Sequence, residues 1–188
     1  MLRRLPRALA LRTTTAIVGV LLIMACTPVD PVSPSVRASP AGTLAVAGML
    51  PTTLQGEALV ELPGVDPTTG ALNQLVRRLG KTSADVQAAG RIAPDEGASS
   101  ASVQVVRIAG VDGARLLAEE TALIREILAR EAQADVPADV ISLGGKRVTR
   151  LVPPLADESL YLLVSQDTIF LIVGADEPEA VELIRQIP

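Results

Sequence analysis

The sequence predicts an α+β fold for Leu44–Pro188, with a mainly antiparallel sheet packed against about three helices. Three observations predict it. Aliphatic runs alternate with tight-turn residues, several segments carry apolar residues at helical spacing, and the region is long enough to bury about two-thirds of its unfolded surface. The elements follow the order β-α-β-β-α-β-β-β-β-α, in which strands joined by short turns pair antiparallel.

The first part of this region contains three predicted strands and one helix. Glu57–Leu62 is a strand that ends at a Pro-Gly pair. Asp66-Pro67 opens a helix that stops at Gly80, the residue type that favours a helix C-terminus. The strands Val86–Ala93 and Ser102–Ala109 follow, joined by a polar loop. The helix carries one apolar stripe, at i, i+3, i+4 and i+7: Leu72, Leu75, Val76 and Leu79.

The longest helix is predicted over Gly113–Gln133, with Asp112 as its N-cap. Its buried face is expected to comprise Leu116, Leu117, Leu123, Ile124, Ile127 and Leu128. Four carboxylates lie beside arginines along the helix and are expected to form a solvated face, not a catalytic pair: Glu119, Glu120, Glu126 and Glu131. Glu126 precedes Arg130 in the favourable i,i+4 order.

Two hairpins follow the long helix. Val140–Leu143 and Arg147–Val152 flank Gly144-Gly145, a pair that favours a two-residue turn. Leu160–Val164 and Thr168–Val173 flank the second turn. Because the last two strands are aliphatic on both faces, they are predicted to be central in the sheet.

A final helix begins after Asp176. Asp176 is the expected N-cap, and Pro178 suits the first turn because its missing N–H needs no partner there. The apolar stripe of this helix is Val181, Ile184 and Ile187.

The first 25 residues have the features of an export signal. A segment with four arginines and no acid precedes Ala16–Ala25, an apolar run about half as long as a membrane-spanning helix. The run ends in Ile23-Met24-Ala25-Cys26, which resembles the lipobox of bacterial lipoproteins. That resemblance implies cleavage between Ala25 and Cys26, transfer of diacylglycerol to the Cys26 sulfur and, often, acylation of the new amino group. The partner that it implies is a membrane, held through the lipid on Cys26.

Residues 26–43 are predicted to be a Pro- and Ser-rich tether. Four prolines fix φ and remove backbone donors, which excludes a helix or the interior of a sheet. At about 3.1 Å per residue, this segment holds the following domain up to about 50 Å from the bilayer. The predicted organisation is a signal peptide at 1–25, the tether at 26–43 and an exported domain at 44–188. This places the domain in the cell envelope, on the extracytoplasmic side.

Composition excludes several classes of activity. With no His and one Cys, the chain offers no imidazole base, no internal disulfide and no thiolate metal cluster. One Tyr, one Phe and no Trp leave no stacking platform for nucleic acid. Without the leader's four arginines, 13 basic residues remain against 21 acidic ones, a net charge of −8. That charge argues against binding nucleic acid or an anionic membrane through a net field. We therefore predict no enzyme activity, no cofactor and no metal.

Three basic residues on one predicted strand form a candidate interaction patch: Lys146, Arg147 and Arg150. Alternation places Lys146 and Arg150 on one face and Arg147 on the other. These groups suit contact with lipid headgroups or an acidic partner. The alternative, which we favour, is a solvated edge strand whose charges prevent aggregation. The acidic pair Asp95-Glu96 and the segment Asp135–Asp139 lack the pattern of a calcium loop.

Two functions are compatible with these features, and an enzyme is the third and least favoured alternative. The first is a noncatalytic, lipid-anchored domain that binds an envelope protein or another envelope component. The second is a carrier of a lipid or other hydrophobic ligand, in which the sheet and helices enclose a cavity. The hairpin at Gly145–Thr149 and the C-terminal part Leu160–Pro188 loosely resemble small uncharacterised α+β domains of envelope lipoproteins, a resemblance that brings no known activity.

Overall fold

One large antiparallel sheet organises the chain. A computed structural model describes residues 45–63, 65–94, 99–154 and 158–188, so the predicted signal peptide, Cys26 and the tether lie outside the described residues. In chain order the strands are β1 (Thr53–Leu54), β2 (Glu57–Ala58), β3 (Val60–Glu61), β4 (Val86–Ile92), β5 (Ser102–Ile108), β6 (Ala138–Leu143), β7 (Lys146–Leu151), β8 (Ser159–Ser165) and β9 (Thr168–Ala175). The helices are α1 (Gly70–Arg78), α2 (Gly113–Ala132) and α3 (Glu177–Gln186), and a 3₁₀ turn spans Ser83–Asp85.

The large sheet has the spatial order β3-β4-β5-β9-β8-β7-β6, and every neighbouring pair is antiparallel. The apolar faces of α1 and α2 pack on one side of it. Helix α3 and the segment 46–59 pack on the other side. The predicted α+β class and the predicted order of elements are therefore confirmed, with helices on both faces of the sheet.

Strand β9 lies at the centre of the sheet and separates two apolar cores. All eight of its residues are buried, which confirms the prediction drawn from its two aliphatic faces. Leu171 belongs to the core that contains Leu116 of α2. Phe170, on the opposite face, belongs to the core that contains Leu183 of α3.

The backbone conformations of the turn residues determine the geometry of the two C-terminal hairpins. Gly144 and Gly145 have φ angles of 59° and 83°, the left-handed conformations that a two-residue type I′ turn requires. In the second hairpin Ser165 pairs with Thr168, so the turn consists of Gln166 and Asp167. Gln166 itself adopts a φ of 54°.

The first predicted strand, Glu57–Leu62, is divided in two. Its first half, β2, pairs with β1 in a separate two-stranded sheet, whereas β3 joins the edge of the large sheet beside β4. Buried Leu54 holds the small hairpin in the core on the α3 side. The N–H of Gln55 donates to Glu182 Oε1 at 2.8 Å, and its Nε2 donates to Glu179 Oε1 at 3.1 Å. These contacts with the C-terminal helix explain the division.

Helix α1 begins at Gly70, later than the predicted start at Asp66-Pro67. The Asp66 carboxylate instead forms a separate turn, because its Oδ1 accepts from the N–H and the hydroxyl of Thr68 at 2.8 and 2.7 Å. The predicted end is confirmed. Gly80 adopts a φ of 70° and donates its N–H to the carbonyl of Arg77 at 3.0 Å.

Helices α2 and α3 begin at their predicted N-caps. Asp112 Oδ1 accepts from the N–H of Ala114 at 3.0 Å. Asp176 and Glu179 form a reciprocal capping box, with N–H to carboxylate distances of 2.9 and 3.0 Å. Among the described residues, none of the helices combines the length and apolarity that crossing a bilayer requires.

The strand that carries the basic residues is not an edge strand. β7 pairs with β6 on one side and β8 on the other. The interpretation of Lys146, Arg147 and Arg150 as charges protecting an edge is therefore wrong. The Gly-Gly turn folds β6 back along the outside of β7, so that β6 is the edge and its Val140 keeps 55% of its surface exposed.

Candidate functional site

The three residues of the predicted interaction patch are held apart. Lys146 and Arg150 share one face of β7 with Val148, which is buried in the core on the α3 side. There the Lys146 ammonium donates to the carbonyl oxygen of Ile187. Arg147 is exposed and lies on the opposite face, as alternation predicted. The three cations do not form one contiguous patch.

Arg150 forms an ion pair with Asp139 of the neighbouring strand β6. Its Nε and Nη2 donate to the two carboxylate oxygens of Asp139 at 3.1 and 2.7 Å, the bidentate geometry typical of strong Arg–carboxylate pairs. The hydrogen bond from Arg150 holds the pKa of Asp139 below its ordinary value, and the same bond raises the pKa of Arg150. This pair joins β6 to β7 and leaves Arg150 poorly placed to bind a partner.

Two of the four acidic residues of α2, Glu126 and Glu131, are solvated as predicted. Glu126 is exposed and pairs with Arg78 of α1 and with Arg130 one turn later. The hydrogen bond from Arg78 is the main reason that the pKa of Glu126 is lowered. Glu131 is also exposed, whereas Glu119 is half-buried. The part of the helix around Glu126 is therefore a solvated, ion-paired surface.

Glu120 departs from the prediction of a solvated acidic face. Leu116 and Ile124, one helical turn before and after it, are 0% and 4% exposed. Glu120 is half-buried, and no described residue donates a hydrogen bond to its carboxylate. The loss of hydration raises the pKa of Glu120 from 4.5 to about 7. The signal was present in the sequence, because Leu116 and Leu117 stand four and three residues before Glu120, and Leu123 and Ile124 stand three and four residues after it.

A small cavity lies between the β1–β2 hairpin and the end of β4. Its volume is about 60 Å³, and it is lined by Leu54, Gln55, Glu57, Leu59, Ala93, Pro94 and Ser99. Sites for larger organic ligands measure about 300–1,000 Å³. This cavity suits water and is too small for an acyl chain.

The predicted acidic segments form no common centre in the described part of the chain. Asp135 pairs with Arg125 at 2.9 Å, and Asp139 pairs with Arg150. Across residues 45–188, apart from the undescribed gaps, no three His, Cys, Asp or Glu side chains converge as metal ligands do. Asp95 and Glu96 lie outside the described residues.

No known protein family, curated protein or solved structure matches this chain. Three features of the described domain bear on its function. They are the ion pairs on its surface, one desolvated carboxyl group on α2 and the outer edge of strand β6.

Proposed function

We propose that the chain is a lipid-anchored lipoprotein of the cell envelope, whose α+β domain is a noncatalytic binding or interaction module on the extracytoplasmic side. The observation that carries this proposal is Ile23-Met24-Ala25-Cys26, placed at the end of an apolar run that follows four arginines. The run brings the segment to the bilayer, the small Ala25 allows a peptidase to approach, and the chain's one thiol stands where lipid would be attached.

The lipid chemistry accounts for stable attachment. One acyl chain binds a membrane only reversibly, whereas two or more chains hold a protein there far longer. Diacylglycerol on the Cys26 sulfur supplies two chains, and acylation of the new amino group supplies a third.

The start of the packed domain supports the predicted tether. Val46 and Leu50 are 1% and 4% exposed and belong to the core on the α3 side. The Pro- and Ser-rich segment 26–43 therefore ends just before the chain enters the core. A spacer of this composition gives the domain freedom to meet partners at up to about 50 Å from its lipid.

The edge of the sheet supports an interaction role for the domain. Within the described part of the chain, β6 pairs only with β7, so its outer edge leaves backbone donors and acceptors available. Extended segments of partner proteins add to edges of this kind. The exposed Val140 adds apolar surface at the same place.

Fatty-acid labelling tests the anchor. The wild-type protein, expressed in a bacterium that processes lipoproteins, is expected to incorporate labelled fatty acid, and Cys26→Ala is expected to lose the label and keep its leader. Met24→Ala is the matched control, since it changes the same segment, retains the thiol and should still be labelled. Equal labelling of Cys26→Ala would contradict the proposal. Turnover of a substrate that depends on one acidic residue would contradict the noncatalytic role.

A further inference from the structure

The two ends of the large sheet carry different charge. Val86 of β4 pairs with Ile108 of β5, and Thr168 of β9 pairs with both Arg107 and Ser165. The start of β4, the end of β5 and the β8–β9 turn therefore lie at one end, which we call the basic end. The opposite end, where β4 and β9 finish and β6 begins, is called the acidic end.

The basic end includes cations from the helix side of α1 and α2. Lys81 follows α1, and its Nζ lies 3.5 Å from where a Cβ on Gly110 would stand, over the turn after β5. Arg115 lies in the first turn of α2, whose Gly113 packs against the Gln166 carbonyl of the β8–β9 turn. Arg115 is exposed.

Further cations lie at the same end on β7 and α3. Lys146 and Arg147 are the first two residues of β7, beside the turn at Gly144. Arg185 is exposed in the last turn of α3, and Ile184 next to it contacts Gly144. Cations therefore surround this end on both faces of the sheet.

The acids of the basic end already have partners within the chain. Asp112 caps α2, Asp85 accepts from Thr82, and Asp167 pairs with Arg107 at 3.0 Å. Glu182, next to the Val181 carbonyl that lies beside Gly144, is a fourth acid at this end and accepts from the N–H of Gln55. These four acids stand against six cations, which leaves a net charge of +2: Lys81, Arg107, Arg115, Lys146, Arg147 and Arg185. Among the described residues, only Arg107 of these six has a carboxylate partner.

The acidic end lies too far away to cancel this charge. Glu131, Asp135, Asp176 and Glu177 are exposed there. Helix α2 begins at the basic end and finishes at the acidic end, and its 20 residues span about 30 Å. The Debye length at physiological ionic strength is about 8 Å. A surface that touches the basic end therefore experiences positive charge, although the net charge of the chain without its leader is −8.

We infer that the basic end docks on the anionic lipid headgroups of the membrane that holds the tether. This inference rests on the proposed function, because the lipid on Cys26 keeps the domain within reach. The cations are spread around the whole end and do not line one cleft, which fits a planar charged surface better than a single acidic peptide. Docking turns the acidic end and its loops away from the bilayer. Each cation at an anionic surface strengthens binding by about fivefold.

Two exposed alanines provide matched probe positions. Ala84 lies in the 3₁₀ turn at the basic end, and Ala134 follows α2 at the acidic end. Because Cys26 is consumed by lipid, Ala84→Cys or Ala134→Cys introduces the one free thiol of the full-length protein. A donor fluorophore is attached to this thiol, and the labelled protein is reconstituted in vesicles of about one-third phosphatidylglycerol. Fluorescence energy transfer from the donor to an acceptor on the lipid headgroups is then measured.

Transfer from position 84 is expected to exceed transfer from position 134 at least twofold at about 50 mM salt. The difference should vanish at about 500 mM salt and on phosphatidylcholine vesicles. Arg115→Gln combined with Arg147→Gln should weaken docking by about 25-fold and remove the difference. Arg130→Gln, which removes a cation from the far part of α2, is the control and should preserve it.

Equal transfer from the two positions on anionic vesicles would overturn the inference. So would a difference that survives high salt or the Arg115→Gln, Arg147→Gln double variant. Mass spectrometry of the same preparation separates this outcome from failure of the proposed function. A lipidated Cys26 with equal transfer refutes docking alone, whereas an unmodified Cys26 refutes the anchor on which docking rests.

Discussion

Replacing Glu120 with glutamine is expected to flatten the pH dependence of stability between about pH 5 and 7.5. The pKa of Glu120 is raised from 4.5 to about 7 in the folded protein, because burial disfavours the charged form. In this interval the folded state holds a proton that the unfolded state has released. The free energy of unfolding of the wild-type protein therefore falls as the pH rises from 4.5 to about 7, and is constant above that range.

The size of the effect follows from the shift. A change from 4.5 to about 7 corresponds to about 3 kcal/mol for a fully sealed carboxyl group. Glu120 keeps part of its surface accessible, so water and salt reduce this figure, and we expect a decrease of about 1–2 kcal/mol. The chain has no His, and the lowered pKa values of Glu126 and Asp139 place their titration below this pH interval.

Urea unfolding followed by circular dichroism measures this prediction, since the chain has no Trp for fluorescence. Glu120→Gln should show a constant free energy of unfolding across the interval, higher than that of the wild type near pH 7.5. Glu131→Gln removes one charge from an exposed position of the same helix and should retain the wild-type decrease. A wild-type curve without the decrease, or a decrease that survives Glu120→Gln, would refute the assignment of the raised pKa to Glu120.

Two further substitutions test how α2 is placed. Gly113→Ala should destabilise the protein by about 1–3 kcal/mol, because a Cβ would stand 2.3 Å from the Gln166 carbonyl oxygen; a stabilised variant in urea unfolding would contradict this packing. Asp112→Ala should cost about 1 kcal/mol, since Asp112 Oδ1 accepts from the N–H groups of Ala114 and Arg115. Asp112→Asn retains an acceptor and should lose only a few tenths of that energy, and an equal loss for the two variants would argue against a capping role.

The sequence predicted the features that depend on neighbouring residues. Gly144-Gly145 specifies its turn through left-handed φ angles, and Asp112 and Asp176 specify helix starts through their own carboxylates. The two aliphatic faces of β9 were enough to predict its central place. In each case the determining interaction lies within a few residues along the chain.

The features that the sequence did not predict depend on distant contacts. Strand β5 pairs with β9, although α2 and three strands separate them in the chain, and this pairing places β6 at the edge instead of β7. The division of the first strand follows from contacts of Gln55 with α3. Likewise, a helix as long as α2 presents several faces that are partly apolar. Only its packing on the sheet decides that Glu120 is half-buried while Glu126 is exposed.

The structure does not test the lipid anchor predicted at Cys26, but it does describe the residues of the predicted interaction patch. Cys26 lies outside the described residues, so its lipidation stays a prediction carried by the leader sequence. For the patch, alternation correctly separated Arg147 from Lys146 and Arg150. The commitment of Arg150 to Asp139 depends on the register of β6 against β7, which strand propensity alone does not specify.

Mass spectrometry of the N-terminal peptide of the mature protein tests the central claim most directly. We expect a mature chain that begins at Cys26 and carries diacylglycerol through a thioether on its sulfur. A membrane-free protein that still begins at Met1 and bears an unmodified thiol at Cys26 would contradict it.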